Sequence, residues 1–266
     1  MTRTYVITGS ASGIGAATAR ILRERGHQVI GIDLHDAEID ADLSVAEGRR
    51  DAAQKAIELA GGTIDAVIAC AGISAPIAKT VSINYFGVTE LLEHLLPALR
   101  GSAAPRAAVV SSMASLQPVS AELVQAMLDG DEAAALAIGE TLEQQGPRVG
   151  FLTYSSSKRA LSRWVRRQSI SEDWAGSGIP LNAVAPGTVV TPMTKGLLST
   201  PQGRKMVDDA VPMPLNGHQD PESIATLLIW LTSEENTHVA GQTIYDDGGA
   251  DASLRGDDIW SWNDRV

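Results

Sequence analysis

The sequence predicts a single α/β domain built on a doubly wound parallel β-sheet, with helices on both faces. Apolar, strand-like runs alternate with helical stretches along most of the 266 residues, an order typical of parallel sheets. The strand-like runs lie at residues 5–8, 28–32, 66–70, 107–111, 180–184 and 243–245. A chain of this length buries a substantial core as one unit, and no change of pattern marks a second. We therefore expect residues 1–266 to form one domain.

A glycine-rich turn follows the first predicted strand. The string TGSASGIG, at residues 8–15, connects the apolar run at 5–7 to a helical stretch at 16–23. Glycine has no Cβ, so it permits both a tight turn and the close approach of a pyrophosphate to the backbone. The helix directs free N–H groups and the positive end of its dipole at the phosphate. Glycine triplets also occur in ordinary turns, but this strand–turn–helix context favours a dinucleotide site. The predicted cofactor contacts here are Gly9, Ser12, Gly13, Ile14 and Gly15.

Asp33 ends the second predicted strand, where it can reach the ribose of a bound dinucleotide. A carboxylate at this position hydrogen-bonds the ribose hydroxyls and repels a 2′-phosphate. Arg and Lys, which would bind such a phosphate, are absent from the nearby positions Ser10, Ala11, Ser12, Leu34 and His35. We therefore predict NAD rather than NADP as the cofactor, with Asp33 and Leu34 in its site. The alternative is a solvated carboxylate at the end of a strand.

Tyr154 and Lys158 lie four residues apart, so in a helix their side chains share one face. A free phenol has a pKa of about 10 and is a poor base at neutral pH. A neighbouring ammonium favours the phenolate and lowers that pKa, so Tyr154 could exchange a proton with an alcohol or a ketone. Such pairs also arise by chance on solvated helix faces. The glycine turn favours the proton-transfer role.

These motifs, in this order, resemble the short-chain dehydrogenase/reductase family. The glycine string fits the family's T-G-x-x-x-G-I-G pattern, and Tyr154 to Lys158 fits its Y-x-x-x-K pattern. The string CAG at residues 70–72 stands where the family usually has N-A-G, so its cysteine departs from the pattern. The resemblance covers roughly residues 1–250. It implies a Rossmann-type fold and an oxidoreductase.

The resemblance also implies roles for individual residues. Ser112 would hydrogen-bond the substrate oxygen, and Tyr154 would exchange its proton. Lys158 would lower the pKa of Tyr154 and hold the nicotinamide ribose, while Asn84 would position a water that links Lys158 to solvent. The further cofactor contacts that the resemblance implies are Asp42 and Leu43 at the adenine, Cys70, Ala71 and Gly72, and Pro186, Gly187, Val189 and Thr191 beside the nicotinamide.

Within the family, the chain is most like the bacterial 3α-hydroxysteroid dehydrogenase/carbonyl reductase type. The strings GHQVIGID, ADLS and NYFG carry this likeness, together with an unusually long stretch between Ser112 and Tyr154. It implies NAD-dependent interconversion of a secondary alcohol and a ketone on a hydrophobic cyclic substrate, such as a 3α-hydroxysteroid or another carbonyl compound. The alternatives are an NAD-dependent dehydrogenase of another cyclic or aromatic alcohol and a non-catalytic dinucleotide sensor. A sensor needs no proton relay, so the Ser112, Tyr154 and Lys158 set argues against it.

Two segments could form walls of the substrate site. In the insert, at about residues 115–152, Ser120 and Asp131 are placed to cap two helices, which cover the core, wall the substrate site or change a subunit contact. Residues 191–215 lack a strong period and form either a mobile lid or a surface loop. Apolar side chains in these walls suit a bulky ligand or pack on the core. They are Met113, Leu116, Met127, Leu152, Met193, Leu197, Leu198, Met206 and Met213.

Composition argues against several classes of protein. The net charge of −11 disfavours nucleic acids and anionic membranes as partners. The histidines show no metal-ligand spacing, so we predict no metal site. Cys70 is the single cysteine, which excludes intrachain disulfides and is typical of a reducing compartment. No signal peptide precedes the first strand, and no apolar run approaches the roughly 20 residues that span a bilayer. We therefore expect a cytoplasmic protein.

We also expect a homo-oligomer. The resemblance implies association through the helices that hold Asn84 and Tyr154. The insert joins that region, where it would obstruct a tetramer contact, so a homodimer is favoured. Trp260 and Trp262 would be costly to expose, and we expect them to pack on the body of the protein or on a neighbouring subunit.

Overall fold

The computed structural model describes residues 2–261, which form a seven-stranded parallel sheet in the order β3-β2-β1-β4-β5-β6-β7. The strands are β1 (Thr4–Thr8), β2 (Gln28–Asp33), β3 (Ile39–Asp40), β4 (Ala66–Ala69), β5 (Arg106–Val110), β6 (Leu181–Pro186) and β7 (Thr243–Asp246). The predicted fold class is confirmed. Only β3 lacks a predicted counterpart, because a strand of two residues is too short to show a period.

Twelve α-helices, counted over the described residues, surround the sheet. They are α1 (Gly13–Glu24), α2 (Ala46–Leu59), α3 (Lys79–Val81), α4 (Gly87–Leu99), α5 (Ala121–Leu128), α6 (Glu132–Gln144), α7 (Pro147–Gly150), α8 (Leu152–Gln168), α9 (Pro192–Leu198), α10 (Pro201–Ala210), α11 (Pro221–Leu231) and α12 (Ala250–Arg255). A π-helical turn, Ser82–Phe86, joins α3 to α4, and a 3₁₀ turn, Met113–Leu116, follows β5.

The hydrophobic core lies on both faces of the sheet. Successive strand residues point to opposite faces, so Val6 packs in the cluster formed with α2, α4 and α8, whereas Tyr5 and Ile7 pack in the cluster formed with α1 and α11. Every residue of the central strands β4 and β5 is buried. Burial on both faces explains why these strands appear in the sequence as continuous apolar runs.

The strand order reverses between β1 and β4, and this places the functional cleft. Both β2 and β4 pair with β1, in the registers Thr8↔Ile32 and Thr8↔Ala69. The loops that leave the carboxyl ends of β1, β2 and β4 therefore begin at the same level. In open α/β sheets, ligands bind outside the carboxyl ends of the strands at such a reversal.

The two helices of the insert begin where their capping residues predict. The Ser120 hydroxyl accepts a hydrogen bond from the Leu123 N–H at 3.2 Å, and the Asp131 carboxylate accepts one from the Ala134 N–H at 2.9 Å. Leu123, Val124 and Met127 on α5 are buried in the core cluster that contains α8. The insert therefore covers the core on this side of the sheet.

The segment at 191–215 is helical rather than a loop without regular structure. Thr191 and Thr200 are the N-cap residues of α9 and α10, and Pro192 and Pro201 are their first helical residues. Both Thr-Pro pairs are helix-start signals in the sequence. Neither helix buries a residue.

No helix among residues 2–261 is both long and apolar enough to cross a membrane. Trp260 is 70% exposed, so the part of the expectation that placed it on the body of the same chain is wrong. Trp262 lies outside the described residues.

Candidate active site

The glycine turn after β1 has the conformation that its sequence predicts. Gly9 and Gly13 have φ angles of +68° and +53°, in the left-handed region that favours glycine. A Cβ on Gly9 would lie 2.9 Å from the backbone nitrogen of Ala71, and one on Gly15 would lie 2.1 Å from the carbonyl oxygen of Gly9. Side chains at these positions would therefore push the turn away from the loop after β4 and from its own helix.

The amino end of α1 is open toward the cleft. Its N-cap residue, Ser12, makes no side-chain capping bond, and its first turn holds no acidic residue. The first N–H groups of a helix have no partner within the helix, so they are free here to bind an anion. This arrangement fits a pyrophosphate group.

Asp33 is held against the glycine turn. One carboxylate oxygen accepts a hydrogen bond from the Ala11 N–H at 2.9 Å, and the other accepts one from the Leu34 N–H at 2.7 Å. The carboxylate therefore has a fixed position at the rim of the cleft. It presents a negative charge where an adenosine ribose would lie beside the turn.

The loop after β3 carries a second fixed carboxylate, on Asp42. It accepts hydrogen bonds from the Ser44 N–H at 2.9 Å and from the Lys79 ammonium at 3.2 Å. The hydrogen bonds from Ser44, and then from Lys79, hold the pKa of Asp42 below its usual value. Lys79 was not predicted as a site residue, because no motif contains it.

The thiol of Cys70, the residue that departs from the family pattern, is unreactive. Burial raises the pKa of the Cys70 thiol to about 12, so the thiol remains protonated. The next residue, Ala71, donates its N–H to the Thr8 hydroxyl at 3.0 Å. The loop after β4 is thereby tied to the end of β1.

Ser112 and Tyr154 face each other across the cleft. Ser112 is the second residue after the end of β5, and its hydroxyl accepts a hydrogen bond from the Ala114 N–H at 3.1 Å. Burial raises the pKa of the Tyr154 phenol, and hydrogen bonding with Ser112 offsets part of that rise. The sequence predicts a lowered pKa at Tyr154. In this geometry desolvation of the phenolate outweighs the favourable contacts.

Lys158 lies one helical turn after Tyr154 and is nearly fully buried. Its ammonium donates a hydrogen bond to the Val110 carbonyl oxygen at 2.8 Å. Burial lowers the pKa of this ammonium to about 8. Lys158 can therefore gain and lose a proton close to neutral pH.

Asn84 lies behind the cleft, in the π-helical turn. Its amide forms two hydrogen bonds of 2.9 Å with the backbone of Ile73 and donates a third to the Ser157 hydroxyl at 3.2 Å. A Cβ on Gly72 would lie 3.0 Å from the Asn84 side-chain oxygen and 3.5 Å from the Lys158 nitrogen. Asn84 therefore fixes the loop after β4 beside Lys158, a contact that the sequence does not reveal.

These groups surround one cleft of about 370 Å³ at the carboxyl ends of the strands. Every cofactor-binding residue that the sequence predicts lines this cleft, and so does Ser112, whereas Asn84 lies behind it. The lining residues predicted neither as cofactor contacts nor as substrate walls are Ala41, Ile73, Lys79, Ile83, Val110, Ser111, Pro192 and Thr194. Ala41, Ile73, Ser111 and Pro192 each adjoin a predicted cofactor-binding or catalytic residue, and Thr194 adjoins Met193, so their place in the sequence was the available signal. Within residues 2–261, no group of three or more His, Cys, Asp or Glu side chains could hold a metal ion.

Exposed apolar side chains lie along the segments that border the cleft. The ring of Phe151, 39% exposed, lies 5.5 Å from the ring of Tyr154. Val190, Met193 and Leu197 are also exposed. We call these four residues the apolar rim. Of the side chains that the sequence offers as walls, Met193 lines the cleft, whereas Met113 and Met127 are buried in the protein.

Comparisons with known proteins identify the family. The family model described as enoyl-(acyl carrier protein) reductase matches residues 9–251. The chain is 39% identical over 255 residues to a 3-alpha-hydroxysteroid dehydrogenase/carbonyl reductase of Comamonas testosteroni, covering 94% of this chain and 97% of the relative. The chain belongs to the short-chain dehydrogenase/reductase family. The predicted membership is confirmed, and the chain is therefore an oxidoreductase.

The chain is also similar to other dehydrogenases and reductases, in sequence or in structure. The chain is 28% identical to a coniferyl-alcohol dehydrogenase of a Pseudomonas species, covering 92% of this chain and 94% of that one. It is similar in structure to a 3-alpha-hydroxysteroid dehydrogenase of Pseudomonas sp. B-0831 complexed with NADH. The TM-score is 0.88 at 39% identity, with 96% of this chain and all of the other covered. Levodione reductase, with a TM-score of 0.72 at 22% identity, shares the fold.

Proposed function

We propose that this protein is an NAD-dependent dehydrogenase/reductase that interconverts a hydrophobic cyclic secondary alcohol and its ketone, with a 3α-hydroxysteroid as the substrate. The observation that carries the proposal is the meeting of Ser112, Tyr154 and Lys158 in one cleft with the glycine turn and Asp33. The Comamonas relative and the NADH complex of the Pseudomonas enzyme support it.

The residues that line the cleft suit the successive parts of NAD. The open amino end of α1 would hold the pyrophosphate, and Asp33 would accept hydrogen bonds from the adenosine ribose. Asp42 and Leu43 would flank the adenine, and Val189 and Thr191 the nicotinamide. When bound, NAD supplies the acceptor for the hydride that leaves the alcohol carbon.

The proton chemistry belongs to the side chains. Tyr154 exchanges a proton with the substrate oxygen, and the Ser112 hydroxyl donates a hydrogen bond to that oxygen as its charge changes. Lys158, whose pKa is about 8, would hold the nicotinamide ribose and pass the proton from Tyr154 toward solvent. Asn84 holds the loop after β4 beside Lys158 and so helps to keep the Lys158 ammonium in position.

The apolar rim suits a large hydrophobic substrate. Phe151 presents an exposed ring face beside Tyr154, and Met193 adds a flexible thioether on the other side of the cleft. Burying such surfaces against a ring system is favourable in proportion to the apolar area removed from water. A short alcohol would cover little of this surface.

A substrate screen tests the proposal. NADH formation is measured with a 3α-hydroxysteroid, coniferyl alcohol, cyclohexanol and 2-butanol, each with NAD and with NADP. We expect kcat/KM to be highest for the steroid with NAD. Higher kcat/KM for coniferyl alcohol would reassign the enzyme to aromatic alcohols, and equal turnover of 2-butanol would contradict an apolar site. Cofactor binding without turnover of any alcohol would indicate a sensor.

We further propose that the protein is a cytoplasmic homodimer. Helix α5 packs along α8, the helix of Tyr154 and Lys158, and so occupies the face through which the family resemblance implies association. The exposed Trp260 supplies apolar surface for a subunit contact elsewhere. The single cysteine supports a reducing compartment. Light scattering at several concentrations tests the dimer, and a stable tetramer would contradict it.

A further inference from the structure

Asp42, Leu43 and Lys79 line one end of the cleft, and we call them the adenine-side wall. We propose that helix α6 of the insert braces this wall and thereby sets the affinity for the adenine half of the cofactor. The proposal rests on the proposed function for the identity of the ligand. It assigns to the insert a role at the cofactor, in addition to covering the core.

The amino end of α6 is tied to the wall through a buried arginine. Glu132, the first residue of α6, accepts two hydrogen bonds from the Arg49 guanidinium, at 2.6 and 2.8 Å. The guanidinium and the carboxylate form two parallel hydrogen bonds, and this bidentate geometry is both strong and specific. Arg49 lies on α2 and is fully buried.

The same guanidinium holds the backbone of the wall. Arg49 donates hydrogen bonds to the Leu43 carbonyl oxygen at 2.9 Å and to the Ser44 carbonyl oxygen at 3.1 Å. Besides Glu132, one other carboxylate, that of Glu90 at 2.9 Å, pairs with it among the described residues. A buried cation requires such partners. Loss of Glu132 would therefore loosen the grip of Arg49 on Leu43 and Ser44.

The rest of α6 contacts the other part of the wall. The Glu143 carboxylate accepts a hydrogen bond from the Ala78 N–H at 2.8 Å, directly before Lys79, whose ammonium bonds to Asp42. Between the two ends of α6, a Cβ on Gly139 would lie 3.2 Å from the Ala78 Cα, so the helix approaches this backbone closely. Residues 132, 139 and 143 repeat with the spacing of one helix face. One face of α6 thus contacts Ala78, directly before Lys79, and reaches Leu43 and Ser44 through Arg49.

A wall fixed in this way favours binding, because less freedom is lost when the adenine enters. Within residues 2–261, no side-chain hydrogen bond or salt bridge of α6 reaches Ser112 or Tyr154. Loosening α6 should therefore weaken adenine binding and leave the proton chemistry unchanged. If the insert had a merely structural role, its loosening would weaken binding of the adenine half and of the nicotinamide half alike.

The test compares three glutamates of α6. Glu132→Gln and Glu143→Gln each remove a charge that contacts the wall or its anchor. Glu140→Gln makes the same chemical change at an exposed position that forms no side-chain hydrogen bond or salt bridge among the described residues, and serves as the matched control. Dissociation constants are measured by calorimetry for NAD, AMP and nicotinamide mononucleotide, alongside kcat and the KM for NAD.

We expect Glu132→Gln to raise the dissociation constants of NAD and AMP about tenfold, because the buried Arg49 loses one of its two carboxylate partners and holds Leu43 and Ser44 less firmly. Glu143→Gln should raise them about threefold. The constant for nicotinamide mononucleotide, and kcat, should stay within twofold of wild type. Glu140→Gln should match wild type throughout.

Two outcomes would overturn the brace. If both folded variants bind AMP as wild type does, α6 does not act on the wall. If the dissociation constants of AMP and nicotinamide mononucleotide rise equally, α6 supports the whole cleft and has no specific effect on the adenine-side wall. Partial unfolding is distinguishable because it lowers the active fraction, and hence the apparent kcat, without changing the dissociation constant of the remainder. Wild-type protein that binds neither NAD nor AMP would refute the proposed function, and the brace with it.

Discussion

The two ends of the cleft are held in different ways. The adenine-side wall is fixed by directional polar contacts: Lys79 bonds to Asp42, and the buried Arg49 holds the carbonyl oxygen of Leu43. At the other end, the first residues of α9 line the cleft, and neither α9 nor α10, the two helices that we propose as the substrate wall, buries a residue. The substrate wall is anchored by a few contacts, including the Thr194 hydroxyl on the Val189 carbonyl oxygen at 2.6 Å.

The difference follows from what each end must recognise. A nucleotide has a constant shape with many polar groups, so a rigid and polar wall adds affinity through preorganisation. A hydrophobic substrate offers few directional groups, so a wall of exposed methionine and leucine side chains can adapt to it. Segments with little buried apolar surface also open at low free-energy cost, as substrate entry requires.

The first prediction concerns Tyr154, where the two ends meet. Tyr154→Phe keeps the ring and removes the exchangeable proton, so kcat should fall by about 10²–10⁴-fold while the dissociation constant of NAD changes less than twofold. Steady-state kinetics and calorimetry measure both. Tyr5→Phe, at the opposite end of β1, is the control and should leave kcat unchanged. Near-normal turnover of Tyr154→Phe would contradict the assignment of Tyr154 as the proton donor.

The second prediction concerns the polar end. Asp33→Ala removes the charge that repels a 2′-phosphate, so the preference for NAD over NADP, as a ratio of kcat/KM values, should fall at least about tenfold. The variant should still prefer NAD, by a smaller ratio, because no Arg or Lys replaces the carboxylate to bind a 2′-phosphate. The wild-type ratio is the reference. A wild-type enzyme that prefers NADP would refute the role of Asp33.

The third prediction concerns stability at Lys158, the buried cation between the two ends. Its pKa is about 8 in the folded protein against an ordinary value of 10.5, so the unfolded chain binds more protons between these pH values. The penalty for burying the charge is therefore full below pH 8 and is relieved as pH rises toward 10.5. It is on the order of 3 kcal/mol.

Lys158→Met lacks this penalty but leaves the Val110 carbonyl oxygen unpaired, at a cost of about 1–3 kcal/mol. The free energy of unfolding of the variant relative to wild type should fall by about 2.5 kcal/mol between pH 7 and pH 10. Urea unfolding at both pH values measures it. Lys55→Met, at an exposed position, should show a much smaller change. A difference that does not vary with pH would show that Lys158 titrates normally.

The fourth prediction concerns the apolar end and carries the smallest effect. Met193→Ala and Leu197→Ala should each lower kcat/KM for a 3α-hydroxysteroid about fivefold, from roughly 1 kcal/mol of lost apolar contact. The KM for NAD should be unchanged, which is the reverse of the pattern expected at Glu132. Leu254→Ala, an exposed leucine on α12, is the control. Equal losses with 2-butanol would indicate a structural effect instead of a substrate contact.

Much of the site could be predicted from short stretches of sequence. Each of three motifs depends only on spacing within one turn, strand end or helix: the glycine turn, Asp33 and the Tyr154–Lys158 pair. Their local arrangement can therefore be predicted from the sequence alone. The prediction of NAD is supported by the NADH complex of the Pseudomonas relative. Lys79 was missed because its importance depends on Asp42, far away in the chain. The direction of the pKa shift at Tyr154 was wrong because the sequence does not show how deeply the phenol is desolvated.

The sequence by itself determined the fold class, the family and the local signals that start helices, such as Ser120 and Asp131 at the caps of the insert. These features arise from interactions between residues that are near neighbours in the chain, or from periodic patterns along it. Only the tertiary structure decided that α6 reaches Arg49 and that Arg49 in turn reaches Leu43. It also decided that burial brings the pKa of Lys158 to about 8. Contacts between distant segments and the exclusion of water exist only once the chain has packed.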